Sequence, residues 1–333
     1  MKPYPAPLCL VPVAALALTL LTAGGALALQ LPGRTSVRNG PVRLVALNNA
    51  SFAFTVARTK TDCDHVELWN TNTKGFWRFG KPGACVDLGS TGTGISSIGV
   101  SGKRALWIRY TGGNTREWQL MTATTTQKAP KQLRFVAQDV HLPSPMVIGD
   151  STGGLGIPYA VGRQVVLLGE NGVAVFKATE PAPITLITAG KGPAGAVVAA
   201  LRKTGEIEML KADGSHSWTV GVQPGAVKAL ALAPVGLVVQ RADEVQIRTP
   251  AGSSSAVTLP AGALMTDFFQ GRILYRRNNE IHALKISNGR DTLLLQGSAG
   301  APAISATADT HGFGWAQGRK VNLACGSCVT FAP

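Results

Sequence analysis

Apolar residues one position apart, each pair leading into a short polar tract, recur along the chain. They fall at Val66/Leu68, Trp118/Leu120, Val165/Leu167, Ile207/Met209, Val245/Ile247, Ile281/Ala283 and Val321/Leu323. Successive copies lie 36 to 52 residues apart, and six of the seven run into a glycine: Gly75, Gly172, Gly214, Gly252, Gly289 and Gly326. Side chains of a strand alternate between two faces, so this spacing reads as a strand, and the glycine as its turn. Beyond the leader no long window keeps a helical period. A repeat of this length built only from strands predicts an all-β fold, the β-propeller.

Seven such third strands predict seven four-stranded blades in a single domain over residues 41–333, with six or eight blades as the alternatives. Blade five shows the plan most plainly, as Val227–Leu232, Gly236–Gln240, Glu244–Arg248 and Ala256–Leu259. The last blade reads as Ile304–Thr307, Phe313–Ala316, Val321–Ala324 and Cys328–Phe331. Residues 29–40 are polar and turn-rich, an arm that adds to the last blade or lies across it. The pattern does not show how the ring is sealed.

Residues 1–28 hold Lys2, an apolar run from Leu8 to Leu27 and the small-x-small end Ala26-Leu27-Ala28. That is the plan of a signal peptide cut after Ala28, and it predicts a secreted or cell-surface protein. Left uncut, the run is long enough to anchor in a bilayer, and only then is the membrane a partner. Export gives the cysteines meaning. Cys9 lies in the leader, leaving Cys63, Cys85, Cys325 and Cys328 for an oxidising compartment. Strands alternate direction within a blade, so the link between second and third strands shares a face with the link to the next blade. Cys63 and Cys85 fall in those two links of blade one, which predicts Cys63–Cys85. Cys325 and Cys328 flank the last turn and are expected to pair locally.

Charge narrows the partners. Lys+Arg number 32 against 18 Asp+Glu, a formal net charge of +14. Such a surface favours anionic company. The basic residues are dispersed, with no run and no aromatic-interleaved motif, which argues against nucleic acid. An envelope polymer or a protein partner, met through the loops, is the expectation.

Sequences that resemble catalytic motifs fail on context. Gly149-Asp150-Ser151-Thr152-Gly153 contains G-x-S-x-G, but a strand follows it where a nucleophile elbow needs a helix. It reads as a glycine-rich turn. Cys325-Gly326-Ser327-Cys328 has redox spacing without the helix that lowers a thiol pKa, and no second pair completes a zinc site. Glu206 and Glu208 leave one side of a strand, as an acid–base pair would, yet Glu244 and Glu280 repeat the first of them; a solvated strand face is expected. Gly75 to Lys81 matches part of a phosphate loop, but Phe76, Trp77 and Phe79 fill it and Pro82 stands where Ser/Thr is needed. The five histidines lie far apart. No cofactor and no metal site is expected. Trp69, Trp77, Trp107 and Trp118 crowd the first two blades and read as inter-blade packing.

Units such as Val66-Glu67-Leu68-Trp69-Asn70 with Thr73-Lys74-Gly75, and Glu206 to Gly214, make the chain resemble the broad group of exported bacterial propellers, including the TolB-like and quinoprotein-like repeats. It lacks the WD dipeptide, the Asp box and the S-P-D-G element, so no catalytic residue carries over. The resemblance implies binding or envelope assembly. The function expected is a non-catalytic binding or scaffolding module. Its contact surface is the face carrying the Asp62–His65, Gly83–Gly94 and Gly112–Arg116 loops, with Asp62, Asp64, His65 and Arg116 as candidate binding residues. The alternative is a hydrolase or lyase in the central channel, using a first-strand polar residue such as Asp267.

Overall fold

The computed structural model describes residues 33–70, 72–73, 75–83, 85, 92–252, 254–298, 305–309 and 312–325. The leader, Cys328 and the expected strand Cys328–Phe331 lie outside them. β1 (Gly33–Val37) precedes blade one, which is β2 (Val42–Asn48), β3 (Ser51–Val56), β4 (His65–Asn70) and β5 (Phe76–Arg78). Blade two is β6 (Gly94–Ser101), β7 (Arg104–Thr111), β8 (Thr115–Thr124) and β9 (Lys131–Asp139). Blade three is β10 (Met146–Ile148), β11 (Ile157–Val161), β12 (Gln164–Leu168) and β13 (Ala174–Thr179). Blade four is β14 (Ile184–Ala189), β15 (Ala196–Arg202), β16 (Glu206–Lys211) and β17 (His216–Gly221). Blade five is β18 (Val227–Ala233), β19 (Gly236–Arg241), β20 (Glu244–Arg248) and β21 (Ser254–Thr258). Blade six is β22 (Leu264–Phe269), β23 (Arg272–Arg277), β24 (Glu280–Lys285) and β25 (Asp291–Gln296). Blade seven holds β26 (Ser305–Asp309), β27 (Gly312–Gln317) and β28 (Lys320–Cys325).

Every sheet has four strands, paired antiparallel. First strands touch in sequence from β2 through β6, β10, β14, β18, β22 and β26 back to β2, so they form the wall of the central channel. The ring is sealed by the arm. β1 takes the outer place in blade seven, running from Gly33 opposite Ala324 to Val37 opposite Lys320. Thr35 Oγ1 donates to Asn322 Oδ1 at 2.7 Å, and Arg38 N–H extends the ladder to the Arg319 carbonyl. Pairing first and last segments leaves neither as a bare edge on β28.

The core is not single. Seven apolar clusters fall one to each junction between neighbouring blades. In β3, Phe52 and Phe54 pack toward blade seven while Ala53 packs toward blade two. In β16, Ile207 and Met209 face blade five and Leu210 faces blade three. A blade is thus buried on both faces, which is why Leu210 is buried as fully as the pair Ile207/Met209 on the other side of the strand. Three of the clustered tryptophans serve this packing: Trp69, Trp107 and Trp118 are buried, and Trp107 stacks on Phe79 with centroids 6.1 Å apart. Among the described residues the helical content is one 3-10 turn, Pro193–Gly195, and no helix is long and apolar enough to cross a membrane.

Candidate binding site at the channel mouth

Two faces of the ring differ in the links they carry. Turns from first to second strands open on one face; links from second to third strands, and from blade to blade, lie on the other. The second face holds the candidate binding residues Asp62, Asp64, His65 and Arg116. The Cys63–Cys85 disulfide is present, with Cα atoms 4.9 Å apart. The expected Cys325–Cys328 pair falls outside the described residues.

Beside that disulfide Asp62 meets both guanidinium nitrogens of Arg78, with Nη2 to Oδ1 at 2.7 Å. The hydrogen bonds from Arg78 lead in holding the Asp62 carboxyl below its ordinary range, against the cost of burial. His65 is buried. Its Nδ1–H donates to the Cys63 carbonyl at 2.8 Å, and its Nε2 lies 2.9 Å from Arg78 Nη1 and 3.2 Å from Glu67 Oε1. Glu67 takes Arg38 Nη1 at 2.7 Å. Burial works to raise the Glu67 carboxyl, but its hydrogen bonds to His65 and Arg38 prevail and lower it. Asp64 accepts the Arg58 backbone N–H at 2.6 Å. Arg116 lies over the rings of Tyr110 and Trp118, 5.0 and 5.8 Å from their centroids. Asp62 and His65 therefore form one ion network, Asp64 caps the adjoining turn, and Arg116 belongs to an aromatic stack on blade two. A cavity of about 380 Å³ opens next to the network, lined in part by Asp64, His65, Arg78 and Trp107.

The first face carries the deeper site. A cavity of about 430 Å³ opens at the channel mouth beside blades three to seven. One wall is apolar: Leu230, Leu232, Val235 and Phe269. The other is acidic: Asp150 from the β10–β11 link, Asp267 from β22 and Asp309 from the end of β26. The lining includes no Lys, Arg or His. The Thr266 hydroxyl, also on the wall, has no partner within the protein.

Local sequence explains how these groups are held. The chain from Gly149 to Gly156 leaves blade three and reaches blade one. Asn48 Nδ2 donates to Ser151 Oγ at 3.1 Å, and Gly154 N–H donates to Asn48 Oδ1 at 2.9 Å. Behind it, Ala189 N–H donates to the Asp150 carbonyl at 2.8 Å and Thr152 N–H to the Ala189 carbonyl at 3.1 Å. Gly149 is required because a Cβ there would sit 1.8 Å from the Ile187 carbonyl of blade four. The G-x-S-x-G motif thus serves a strap across the channel, as a turn and not a nucleophile elbow; Ser151 is spent on Asn48.

Asp267 is 6% exposed, and its two oxygens accept from Phe268 N–H at 2.7 Å and Ala308 N–H at 3.0 Å. Burial, and then the negative charges of Asp150 and Asp309, outweigh those bonds and push its carboxyl up to about 8. Asp150 is accessible to water in the cavity yet ringed by protein, and desolvation pushes it up to about 6. Asp309 accepts from Gly312 N–H at 3.0 Å and from Asn49 N–H. At neutral pH the mouth therefore holds a protonated Asp267 beside an ionised Asp150. Asp267 stands out from sequence as a polar residue in an apolar first strand; Asp150 and Asp309, where the first strands of two different blades end or turn, have no sequence signal that joins them.

The solvated face expected for Glu206 and Glu208 holds for only one of them. Glu206 is exposed, whereas Glu208 is 3% exposed and bonded to Arg202. A strand with neighbours on both faces buries the residues between its apolar pair as well.

No protein-family model matches the chain, and no curated protein matches it. Among solved structures, a chain in the Mitotic Checkpoint Complex is 13% identical, with TM-score 0.55 over 97% of this chain and 98% of that one. The Saccharomyces cerevisiae Sqt1 structure is 11% identical, TM-score 0.48, covering 86% and 97% of the two chains. The Neurospora crassa Pan2 WD40 domain is 11% identical, TM-score 0.49, covering 85% and 88%. The first of these supports the propeller fold, and identity this low reaches no further.

Proposed function

We propose that this chain is an exported propeller of the TolB-like and quinoprotein-like kind, a non-catalytic binding module of the cell envelope. Its ligand seat is the channel mouth, and what it takes there is a positively charged group on a short apolar stem, such as a basic side chain presented by a protein partner. The observation that carries this reading is the acidic, half-apolar cavity whose lining includes no basic residue. A cation brought there is paired by carboxyls that burial has made costly to ionise alone, and its stem covers the apolar wall. The leader, outside the described residues, supports export. The basic exterior supports retention among anionic envelope polymers. That the propeller neighbour of like fold was solved within a multi-protein complex is in keeping with a protein partner.

One observation favours a second reading. Two carboxyls in one cavity, pushed to about 8 and about 6, are suited to act as acid and base. A hydrolase or lyase in the channel is what that pair would serve.

A photocrosslinker placed at the exposed rim residue Val235 separates the two. In cells, the binding reading expects one specific adduct, lost when Asp150 and Asp267 are both changed to Asn. Absence of any adduct, together with turnover in a substrate screen that Asp267→Asn abolishes, would replace it with the catalytic reading. Retention on isolated envelope polymer that survives the double change would move the ligand seat to the opposite face.

A further inference from the structure

Blade four carries a second cluster, away from the channel. Glu180 lies in the link into blade four, Arg202 ends β15, Glu206 and Glu208 stand on β16, and His216 opens β17. Arg202 Nε and Nη2 donate to Glu180 Oε2 at 2.9 and 2.6 Å, Nη2 also reaches Glu208 Oε2 at 3.0 Å, and Nη1 reaches Glu206 Oε2 at 2.8 Å. Thr219 Oγ1 donates to Glu208 Oε2 at 2.8 Å. Three carboxylates thus share one guanidinium, an excess of two negative charges.

The second oxygens are placed differently. Glu180 is 0% exposed, and its Oε1 has no hydrogen-bond partner. Glu208 Oε1 lies 2.6 Å from His216 Nδ1, and His216 is 57% exposed. One ligand atom each from Glu180, Glu208 and His216 fall within 4.8 Å of one another. A fully buried carboxylate oxygen without a donor is costly, and Arg163, the other guanidinium at the cluster, donates its Nε–H to the Glu180 backbone carbonyl at 3.0 Å rather than to that oxygen.

We propose that Glu180, Glu208 and His216 form a divalent-cation site of the zinc type. Two carboxylate oxygens and one imidazole nitrogen are a zinc ligand set, and the exposed side of His216 leaves a fourth position for water. Arg202 and Thr219 hold the remaining carboxylate oxygens and fix how the ligands point. A dication cancels the two excess charges, and the imidazole among the ligands favours zinc over magnesium and calcium, which prefer oxygen. The proposal does not rest on the function given to the channel.

The test uses purified protein without a histidine tag, stripped of metal and titrated with zinc chloride by calorimetry, with melting followed in parallel. One zinc per chain is expected, raising the melting temperature more than magnesium does. His216→Ala, Glu180→Gln and Glu208→Gln should each weaken binding by about ten-fold or more. Affinity should fall in acid, because the ligands must give up their protons to bind the metal. The His216→Ala change touches an exposed side chain and decides the matter if the buried variants fail to fold. No saturable zinc binding, or unchanged binding in His216→Ala, would overturn the site.

Discussion

The two faces of this propeller treat carboxylates in opposite ways. Beside the Cys63–Cys85 disulfide, Asp62 and Glu67 have Arg78 and Arg38 as partners, and both carboxyls are held below their ordinary range. At the channel mouth Asp267 and Asp150 have only backbone donors, apolar walls and each other, and both are pushed up. The first arrangement stabilises the fold in its ionised form. The second costs stability whenever it ionises, and so is ready to be stabilised by an incoming cation.

Stability against pH should break the comparison most clearly. A carboxyl raised from its ordinary value binds more protons folded than unfolded, so its stabilising share is lost as pH climbs from about 4 toward about 8. For Asp62 and Glu67 the sign reverses: their share is present above the unfolded value and lost as pH falls through the lowered folded one. Asp267→Asn mimics the protonated acid. It should match wild type at about pH 3, below the unfolded value, and be more stable by on the order of 5 kcal/mol at about pH 8 in urea melts. A parallel loss of stability at both pH values would contradict the unpaired reading of the mouth.

Removing the staple tests the paired face next. Cys63 and Cys85 are separated by 22 residues. Changing both to Ser should cost about 3 kcal/mol by the chain-entropy account, measured by denaturant unfolding. Arg78→Met comes third. It strands Asp62, which is largely buried, and should cost about 2 kcal/mol at neutral pH, with less loss as acid protonates the carboxyl. If Arg78→Met cost the same at about pH 3 as at about pH 7, the Asp62 pairing would not be its cause.

Much of this architecture is legible in the chain because a propeller repeats a local unit. The paired residues Ile207/Met209 and Val245/Ile247 mark register in their third strands, and the blade-five strand Glu244–Arg248 stands where the pattern puts it. In the last blade the three inner strands are where the pattern puts them and the outer place goes to β1, because closure depends on β1 meeting β28 across some 290 residues of chain, a pairing that leaves no local trace. Glu208 was unreadable for a related reason: alternation shows that Ile207 and Met209 share a face, but not that the opposite face is also covered. The channel mouth was the least legible part. Asp150, Asp267 and Asp309 share a cavity only once the ring has closed, and the turns that carry them look like ordinary punctuation.

The central claim is that Asp150 and Asp267 line a mouth that offers them no Lys, Arg or His and are poised for a cation. Carbon-13 NMR of the aspartate side-chain carboxyls, titrated from acid to alkaline pH and assigned with Asp150→Asn and Asp267→Asn, measures it directly. Asp267 should titrate near 8 and Asp150 near 6, and Asp150→Asn should lower the value of Asp267 while Asp267→Asn, which replaces a neutral acid, leaves Asp150 near 6. Titration of both at about 4, the ordinary aspartate value, would contradict it.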